Sequence, residues 1–348
     1  MHRLSKNEAI EFIRNRVDLF PDRDDAANPF ASAAWSLHFL EQIAEPNWTI
    51  VIPESAISDP SFMLLYSTAE APHKLMSLNN YYSSLYSPLI GDATHRANAV
   101  EAIVKQLRPQ CGSLNLAPLD ENSSDVAAVF GELRKQGWYV NRYFCFGNWF
   151  LPCDGLSFAD YMKARDSKLL NTWTRKAKKF KDGTETRIEV ILGPSAVDTA
   201  MDAYERIYAK SWKKPEPYPN FVRGWAQICA LNGWLRMGLA YVDGTPIATQ
   251  FWFTINRRAY IFKLAYDEDF AKYSAGTVLT AELMRYSLEV DRVVEIDYLT
   301  GDDAYKRGWM NDRRERIGLL ACNLKTIRGC VAAVPEVLGQ LRRRVRRG

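Results

Sequence analysis

The sequence lacks the short motifs that mark the common enzyme classes. It contains no Walker A sequence, no G-x-G-x-x-G, no G-x-S-x-G and no H-E-x-x-H. Its six cysteines form no C-x-x-C pair, and its four histidines all lie in the first third, so a zinc site has no support. No apolar run approaches the ~20 residues of a membrane span, and the N-terminus has no apolar signal segment. We therefore expect a metal-free, cytoplasmic protein.

The composition is that of a folded protein with an uneven charge distribution. Of the 348 residues, 47% are hydrophobic and 25% are charged, which excludes a disordered or disulfide-stapled chain. At roughly 150 residues per domain, the length favours two domains. Residues 1–150 carry 12 Lys and Arg against 17 Asp and Glu, whereas residues 151–348 carry 33 against 24. The positive second half predicts an anionic partner: a phosphate-bearing cofactor, nucleic acid or anionic lipid.

Hydrophobic periodicity predicts a repeated arrangement of strands and helices. The second half reads as three strands, a helix, a strand, a short helix and a strand, near 234–242, 246–255, 258–266, 275–289, 293–299, 302–310 and 313–322. The first half follows the same order near 62–67, 74–79, 81–89, 97–108, 113–117, 125–136 and from 138. Helices near 157–181, 195–212 and 219–231 and a strand near 186–193 lie between them. A duplicated α/β (α+β) fold explains this order best.

The domain limits follow from this repeat. We expect an N-terminal lobe at 1–150, a C-terminal lobe at 151–325 and a basic helix or tail at 326–348. The tail has an apolar stripe at helical spacing, formed by Ile327, Val331, Val334, Leu338, Leu341 and Val345. Five arginines surround the end of the stripe, at 342, 343, 344, 346 and 347. The tail is either a docked helix with a solvated basic end or a contact with an anionic membrane surface, and Pro335 favours a break or late start.

The junction between the third strand and the long helix of the second half is a candidate phosphate site. Gly276 lies at the expected helix N-terminus, where free backbone N–H groups and the helix dipole favour an anion. The matching junction in the first half has no glycine there, and its Asp92 would repel phosphate. This difference indicates that the second half binds the cofactor. The alternative is an ordinary helix entrance capped by Ser274.

A second cluster could carry acid–base chemistry. Glu295 and Asp297 would share one face of their strand, and Asp302 is a candidate helix cap. Tyr305 and Trp309 lie four residues apart on the next helix, so both could line one pocket. In that pocket Tyr305 could donate a proton, and the neighbouring Lys306 could neutralise developing negative charge. The alternative is a core Tyr/Trp stripe beside a solvated lysine.

A third feature is a run of eight basic residues within positions 163–181, which includes Arg175 and Lys176. Such a run is either a solvated helix face or a cradle for phosphates. Two aromatic residues, Trp173 and Phe180, flank the run and would allow nucleic-acid stacking.

Several stretches, taken in order, resemble GNAT-type acyltransferases of the CelD/BcsL group. The stretches are Trp173–Lys181, Ala209–Trp212, Asp243–Gln250, Tyr266–Asp267 with Tyr273–Gly276, Tyr298–Gly301, and Tyr305–Lys306 with Trp309. They lie within about residues 155–325, and the first half is similar in general shape only. The doubled order also resembles the Fem-type aminoacyl transferases, which build peptidoglycan cross-bridges from aminoacyl-tRNA. In that group an aromatic-Lys pair followed by an aromatic residue lies near the same helix.

The resemblance implies tandem GNAT-like lobes, each with a mixed, mostly antiparallel sheet flanked by helices. It implies transfer of an acyl group from acyl-CoA or an acyl-carrier protein to an amine or hydroxyl, in surface-polysaccharide or secondary metabolism. The acceptor would be a small molecule or glycan precursor. The alternatives are an aminoacyl-tRNA donor and a non-catalytic binding module, and the C-terminal arginines could bring the protein to the inner face of a membrane.

The resemblance also assigns roles to residues. Tyr305 would protonate the leaving group, Lys306 would supply positive charge, and Asp297 or Glu295 would act as general base. The donor would be bound by Arg175, Lys176, Tyr266, Tyr273, Ser274, Gly276 and Thr277. The acceptor would be bound by Trp212, Gln250, Asp302 and Trp309. Backbone N–H groups of a splayed strand near 262–266 would stabilise the oxyanion. The phosphate loop of the family reads Gln/Arg-x-x-Gly-x-Gly/Ala, and here only its middle glycine, Gly276, is kept.

Overall fold

The computed structural model describes residues 1–20, 28–55, 60–91, 93–181 and 185–345. The chain divides into two compact units: unit 1 comprises Met1–Phe146 and Glu315–Gly348, and unit 2 comprises Gly147–Arg314. The sequence placed the corresponding limits at 150 and 325. Residues 315–325 therefore group with the first unit, although the sequence assigned them to the second lobe.

The described part of the chain contains fourteen strands and eleven α-helices. The strands are β1 (His2–Leu4), β2 (Trp48–Ile52), β3 (Glu54–Ser55), β4 (Ser61–Phe62), β5 (Leu65–Thr68), β6 (Lys74–Ser77), β7 (Ser113–Asp120), β8 (Trp138–Pro152), β9 (Thr186–Ile191), β10 (Leu235–Val242), β11 (Thr245–Ile255), β12 (Arg258–Tyr266), β13 (Glu295–Asp297) and β14 (Asp312–Asn323). The helices are α1 (Lys6–Arg14), α2 (Ala33–Gln42), α3 (Arg96–Leu107), α4 (Ser124–Lys135), α5 (Phe158–Lys163), α6 (Ser167–Lys181), α7 (Pro194–Ala209), α8 (Pro219–Leu231), α9 (Ala275–Glu289), α10 (Ala304–Trp309) and α11 (Ile327–Val345).

Unit 1 is built on a sheet with the strand order β1-β2-β5-β6-β7-β14-β8. The pair β6/β7 is parallel, and the pairs β1/β2, β2/β5, β5/β6 and β7/β14 are antiparallel. The apolar sides of α3 and α4 bury Val100, Ile103, Val129 and Leu133 in one core with Leu114 of β7. Helix α1 begins at a capping box, in which Ser5 accepts from the backbone N–H of Glu8 and the Glu8 carboxylate accepts from Ser5.

Unit 2 has the strand order β8-β13-β12-β11-β10-β9, to which β8 contributes residues from Gly147 onward. The pair β12/β13 is parallel, and the pairs β9/β10, β10/β11, β11/β12 and β8/β13 are antiparallel. Two-residue turns join β10 to β11 and β11 to β12, and all four turn residues have positive φ: Asp243, Gly244, Asn256 and Arg257. Turns of this kind match the twist of the strands. The predicted fold class, mostly antiparallel mixed sheets flanked by helices, is confirmed.

The strand β12 extends beyond its parallel neighbour. Strand β13 pairs with β12 only at Arg258–Tyr260, whereas β12 continues to Tyr266 along β11. A register shift in the β11/β12 pair falls between Phe251 and Trp252. This is where the sequence analysis expected a splayed strand.

Five expected elements differ in the structure. The strand expected near 62–67 is divided into β4 and β5. Residues 81–89 form no strand, because they follow a looped path in which Tyr82 and Tyr86 are buried and Tyr86 N donates to Pro118 O. The helix expected at 157–181 is two helices, because the Asp166 side chain caps a new start by accepting from Leu169 N at 2.6 Å. The strand at 293–299 shortens to β13. Helix α11 continues through Pro335. The proline has no N–H for the carbonyl four residues earlier, but it lies on the exposed side of the helix, where solvent can bond that carbonyl.

Asp92 and the end of the basic tail, both named in the sequence analysis, are not among the residues that the structure describes. Asp92, Arg346 and Arg347 lie outside the described residues, and so do the side chains of residues 341–345. Among the described residues, no helix has the length and apolar character to cross a membrane.

Helix α11 packs closely on the end of β14 because residue 329 has no side chain. A Cβ at Gly329 would lie 2.1 Å from the carbonyl oxygen of Asn323. We expect Gly329→Ala to lower the free energy of unfolding by about 1–3 kcal/mol, because backbone must move to accommodate the methyl group. Gly131→Ala in α4 is the matched control: its Cβ would meet nothing within 4 Å, and alanine favours a helix by up to about 1 kcal/mol. Urea unfolding measures both variants, and equal stabilities would contradict the packing argument.

Candidate functional site

Tyr305 is the centre of the candidate site in unit 2. It lies in the first turn of α10, which Asp303 caps by accepting from Lys306 N at 3.2 Å. The residue is 43% exposed, but its hydroxyl points into the protein and lies 3.1 Å from Thr280 Oγ1. Burial raises the pKa of the Tyr305 hydroxyl, and polar groups of Thr280, Trp309 and Tyr298 offset part of this effect. The hydroxyl is therefore protonated at neutral pH.

A buried amide holds the partner of Tyr305 in place. Gln250 on β11 is 2% exposed, and its Nε2 donates to Thr280 Oγ1 at 2.6 Å and to Gly276 O at 3.0 Å. Its Oε1 accepts from Trp252 Nε1 at 2.8 Å. Gln250 was expected to bind the acceptor, but all its polar groups are used inside the protein. Thr280, which links Gln250 to Tyr305, was missed by the sequence analysis.

The ring of Trp309 packs against that of Tyr305. Trp309 is completely buried in the core of unit 2, and its ring centre lies 6.3 Å from that of Tyr305. Its backbone carbonyl accepts from Tyr161 Oη at 2.7 Å. The expected pocket lined by both rings is not formed, because a fully buried side chain offers no surface to an acceptor.

Lys306 secures the loop between β13 and α10. Its Nζ donates to Thr300 O at 2.5 Å and to Tyr298 O at 3.3 Å. Gly301 makes this approach feasible, because it has a φ of +118° and a Cβ there would lie 3.0 Å from Nζ. Burial lowers the pKa of Lys306, and the carboxylates of Asp303, Asp297 and Asp302 oppose the shift. Two of the three ammonium donors are thus committed to the loop.

Glu295 and Asp297 share a face, as predicted, but both pair with one arginine. Arg314 Nη2 lies 2.9 Å from Glu295 Oε1 and 2.5 Å from Asp297 Oδ2. Asp297 Oδ1 accepts from Asn148 Nδ2 and from Leu299 N, each at 2.6 Å. Arg314 Nε donates to Asn148 Oδ1 at 2.6 Å. These contacts occupy the carboxylates, so the geometry favours a positioning role over the expected general-base role.

Asp302 is also engaged in a clamp. Its Oδ1 accepts from Trp149 Nε1 at 2.7 Å, and its Oδ2 accepts from Arg313 Nε at 2.9 Å. The hydrogen bond from Arg313 is the main reason why the pKa of Asp302 is lowered. A Cβ at Gly147 would lie 2.6 Å from the Arg313 guanidinium, so a larger residue there would displace the clamp. The expected cap at Asp302 is wrong, since Asp303 caps α10.

The start of α9 offers two backbone donors to an anion. Ser274 has a φ of +53°, and its side chain makes no capping hydrogen bond. The alternative of an ordinary helix entrance capped by Ser274 is therefore wrong. The Ser274 carbonyl accepts from Thr277 N at 3.0 Å and from Val278 N at 3.4 Å. Within the described chain, this leaves the N–H groups of Ala275 and Gly276. A Cβ at Gly276 would meet only the Tyr266 ring, at 3.9 Å, so the backbone is open to a ligand.

Basic and aromatic side chains surround this helix start. Lys176 Nζ lies 3.4 Å from Thr277 Oγ1, and burial together with the neighbouring Arg175 lowers the pKa of Lys176. The Tyr266 ring lies 4.8 Å from that of Trp212, which is 51% exposed. The Tyr273 ring packs against that of Phe270 at 6.2 Å. Of the predicted donor-binding residues, Lys176, Thr277, Gly276 and Tyr266 therefore lie together, while Arg175 is exposed on α6.

The sequence analysis missed a lysine cluster. Lys263 Nζ lies 2.5 Å from Glu216 Oε1, which also accepts from Tyr208 Oη at 2.9 Å. Lys213 lies over the rings of Tyr208 and Trp212. Burial lowers the pKa of Lys213 to about 8, Lys263 and Lys306 add to the shift, and Glu216 opposes it. Lys263, a charged residue within the apolar strand β12, was the sequence signal that could have indicated this cluster. No group of His, Cys, Asp and Glu in the described chain could hold a metal ion.

Comparison with known proteins agrees with this architecture. Residues 167–307 match the model of a family described as Acetyltransferase (GNAT) domain. No curated protein matches the sequence. FemX is a similar solved structure, with a TM-score of 0.61, 10% identity, and coverage of 92% of this chain and 96% of that one.

Two further similar structures cover nearly the whole chain. One is L-PGS from Bacillus licheniformis, with a TM-score of 0.55, 8% identity and 96% coverage of both chains. The other is the C-terminal domain (DUF2156) of a protein from Agrobacterium fabrum that carries the name lysylphosphatidylglycerol synthetase. It has a TM-score of 0.55 and 13% identity and covers 96% of this chain and 98% of that one. At these identities the likeness shows the fold, which is GNAT-like.

The Arg314 pairings give a stability prediction. We expect Arg314→Met to lower the free energy of unfolding by about 3 kcal/mol, because the buried Asp297 carboxylate loses its counter-charge and Glu295 keeps only Arg258, at 3.3 Å. Arg285→Met is the matched control, because Arg285 pairs with Glu282 and Glu289 on an exposed helix face and such pairs contribute less than about 1 kcal/mol. Chemical denaturation compares them, and an Arg314 variant no less stable than the control would refute a structural role for the network.

Proposed function

We propose that unit 2 is an acyltransferase that moves an acyl group from an activated thioester or ester to an amine or hydroxyl. The observation that supports it most directly is the Tyr305 hydroxyl, fixed by Thr280 and Gln250 one turn from the open start of α9. Residues 167–307, which match the GNAT family model, include all these groups. In this proposal the acceptor attacks the acyl carbonyl, the bond to the leaving group breaks, and Tyr305 gives its proton to the leaving atom.

The hydrogen-bond inventory around Thr280 supports Tyr305 as the donor. Gly276 O accepts from the Gln250 amide at 3.0 Å and from the Thr280 hydroxyl at 2.9 Å. The Tyr305 hydroxyl lies 3.1 Å from Thr280 Oγ1, and either oxygen can be the donor of this contact. In the proposed reaction Tyr305 accepts from Thr280 while its own proton passes to the leaving atom.

Two groups would stabilise the oxyanion of the tetrahedral intermediate. The third ammonium donor of Lys306, which the loop carbonyls do not use, supplies positive charge. Strand β12 extends past the last residue of β13, and its backbone beyond Tyr260 is the expected place for N–H donors. Both groups belong to segments that flank α10 and β13 in unit 2.

Acyl-CoA is the expected donor, with a carrier protein as the other thioester source. Its phosphates would contact Lys176, Thr277 and the N–H groups of Ala275 and Gly276, with Arg175 at the outer edge. Trp212, Tyr266 and Tyr273 would contact the remainder of the donor or the acceptor. The acceptor class, a small molecule or glycan precursor of surface-polysaccharide or secondary metabolism, rests on the resemblance of the sequence alone.

A second candidate is an aminoacyl ester donor, as in aminoacyl-tRNA, and the pKa of Tyr305 favours it. A thiolate, with a thiol pKa of about 8.5, leaves without needing a proton from a phenol whose pKa is raised above about 10. An alkoxide leaving group is far more basic and accepts that proton favourably. The positively charged half of the chain also suits a polyanionic donor.

The role of Tyr305 is testable by removing one oxygen atom. We expect Tyr305→Phe to lower kcat at least tenfold with little change in stability, because the ring stays and only the proton donor is lost. Tyr286→Phe in the same unit is the control, since Tyr286 lies on α9 away from Thr280 and its ring faces Arg236. The measurement is turnover with whichever donor raises the melting temperature, among acetyl-CoA, a long-chain acyl-CoA and bulk aminoacyl-tRNA.

Each outcome of that experiment has a definite meaning. A shift with a CoA thioester supports the first candidate, and a salt-sensitive shift with aminoacyl-tRNA alone supports the second. A fully active Tyr305→Phe enzyme removes the proton-donor role. Absence of transfer with every donor, carrier-bound thioesters included, rejects the enzyme and leaves the non-catalytic module.

Lys213 replaces Asp297 and Glu295 as the proposed general base, and this gives a pH prediction. Only the neutral amine can accept the acceptor's proton, so kcat/KM should rise as pH increases through about 8. Lys213→Arg keeps the charge but cannot lose it in this range, so it should abolish the rise. A Lys213→Arg enzyme with normal rates would instead assign Lys213 to anion binding.

Stability provides the second readout for Lys213. Its pKa is lower in the folded state than the ordinary 10.5, so the unfolded chain binds more protons between pH 8 and 10.5 and stability increases with pH there. At pH 7 the buried charge is a cost. Lys213→Met should therefore stabilise the protein by about 1–3 kcal/mol at pH 7 while it lowers activity. Unfolding at pH 7 and pH 10 measures this difference.

A further inference from the structure

Helix α11 of unit 1 exposes its large apolar side chains. The exposed fractions are 85% for Ile327, 66% for Val331, 55% for Val334 and 49% for Leu338. At 100° per residue these four positions fall within an arc of roughly 60°. They form one continuous stripe, which we call the apolar stripe of α11. Single exposed apolar residues are common on protein surfaces, but a contiguous stripe of this kind marks an interaction site.

The opposite side of the helix holds it to the rest of unit 1. Gly329 and Ala333 are buried there, and the absence of a side chain at Gly329 lets the backbone approach Asn323 closely. Glu336 and Gln340 make hydrogen bonds of 3.0 and 2.8 Å with the Asn141 side chain. The helix therefore docks through small and polar residues, which reverses the usual arrangement of a surface helix. The apolar stripe therefore faces outward because the opposite face of the helix is the one that packs on unit 1.

The charge of the segment identifies the kind of partner. Residues 324–348 contain seven Lys and Arg and one acidic residue, Glu336, which faces Asn141 on the docked side. Arg342, Arg343 and Arg344 belong to the last turns of α11, directly after the stripe. A second copy of the helix would bring two strongly positive segments together, which like-charge repulsion disfavours. An anionic lipid surface instead accepts apolar side chains and pairs with the arginines.

We propose that α11 lies on an anionic lipid surface, with Ile327, Val331, Val334 and Leu338 inserted between the headgroups and the arginine-rich end against the phosphates. The helix lies in the plane of the interface and spans nothing. This binding does not depend on the chemistry proposed for unit 2, because every residue it uses belongs to unit 1. Its failure and the failure of the acyltransferase proposal are therefore separate results.

Vesicle sedimentation of the full chain tests the proposal. The probes are vesicles of phosphatidylcholine alone and vesicles with about one third phosphatidylglycerol. We expect at least tenfold stronger partitioning onto the anionic vesicles, with the difference decreasing as salt increases. The triple variant Ile327→Ser/Val331→Ser/Leu338→Ser should lose at least tenfold of this binding. It should keep its fold, because the three side chains are already exposed.

Matched controls separate the stripe from general surface hydrophobicity and from charge. Leu231→Ser/Val290→Ser removes two other exposed apolar side chains of 74% and 55% exposure and should leave binding unchanged. Arg342→Gln/Arg343→Gln/Arg344→Gln should weaken binding to anionic vesicles and leave the little binding to phosphatidylcholine unaltered.

Three results would overturn the proposal. The first is equal partitioning of the wild-type chain and the triple variant onto anionic vesicles. The second is no partitioning of the wild-type chain at all at low salt. The third is a dimer in sedimentation velocity that the triple variant abolishes, since the stripe would then be an interface between two copies. A normal melting temperature of the triple variant is required alongside each comparison, and a large loss would show that the stripe supports the fold.

Discussion

The ion pairs of Arg314 hold β13 in place, and the candidate chemistry of unit 2 depends on the loop that follows this strand. One guanidinium binds the carboxylates of Glu295 and Asp297, and Asn148 completes the set by bonding both Arg314 and Asp297. Largely buried charges keep this geometry because any other arrangement leaves one of them unpaired. Asp297 then orients the backbone of Leu299, whose φ is +55°, and the chain turns into the loop that Lys306 secures.

That loop places Tyr305 with its ring toward solvent and its hydroxyl inside the protein. A phenol in this position is held by the Thr280–Gln250–Trp252 chain of hydrogen bonds, so its orientation costs no rearrangement when a substrate arrives. The same burial keeps it protonated. Gln250 and Trp309, expected at the acceptor surface, serve instead as the buried support of this group. The sequence does not show that the hydrogen bonds of Gln250 go to Gly276, Thr280 and Trp252 inside the protein.

Local patterns in the sequence were sufficient for much of the fold. The strands predicted near 234–242, 246–255 and 258–266 leave only short gaps at the two observed tight turns, and the helical periodicity located α9 and α10. Pairings between distant residues could not be predicted: Asn148 lies 149 positions from Asp297 and 166 from Arg314. The depressed pKa of Lys213 likewise arises from burial beside Lys263 and Lys306, which periodicity does not reveal. The Ser5–Glu8 capping box was a readable signal that was missed.

Helix α11 shows why an apolar stripe in a sequence does not by itself predict a core. Periodicity shows that one face is apolar, but not whether that face is turned inward. The direction depends on the other face, and here Gly329 and Ala333 permit a closer approach to unit 1 than isoleucine, valine or leucine could. A helix held by its small residues must present its large ones to the surroundings. Because the surplus of arginines follows the stripe along the same helix, apolar contact and charge act on one partner together, and an anionic interface satisfies both.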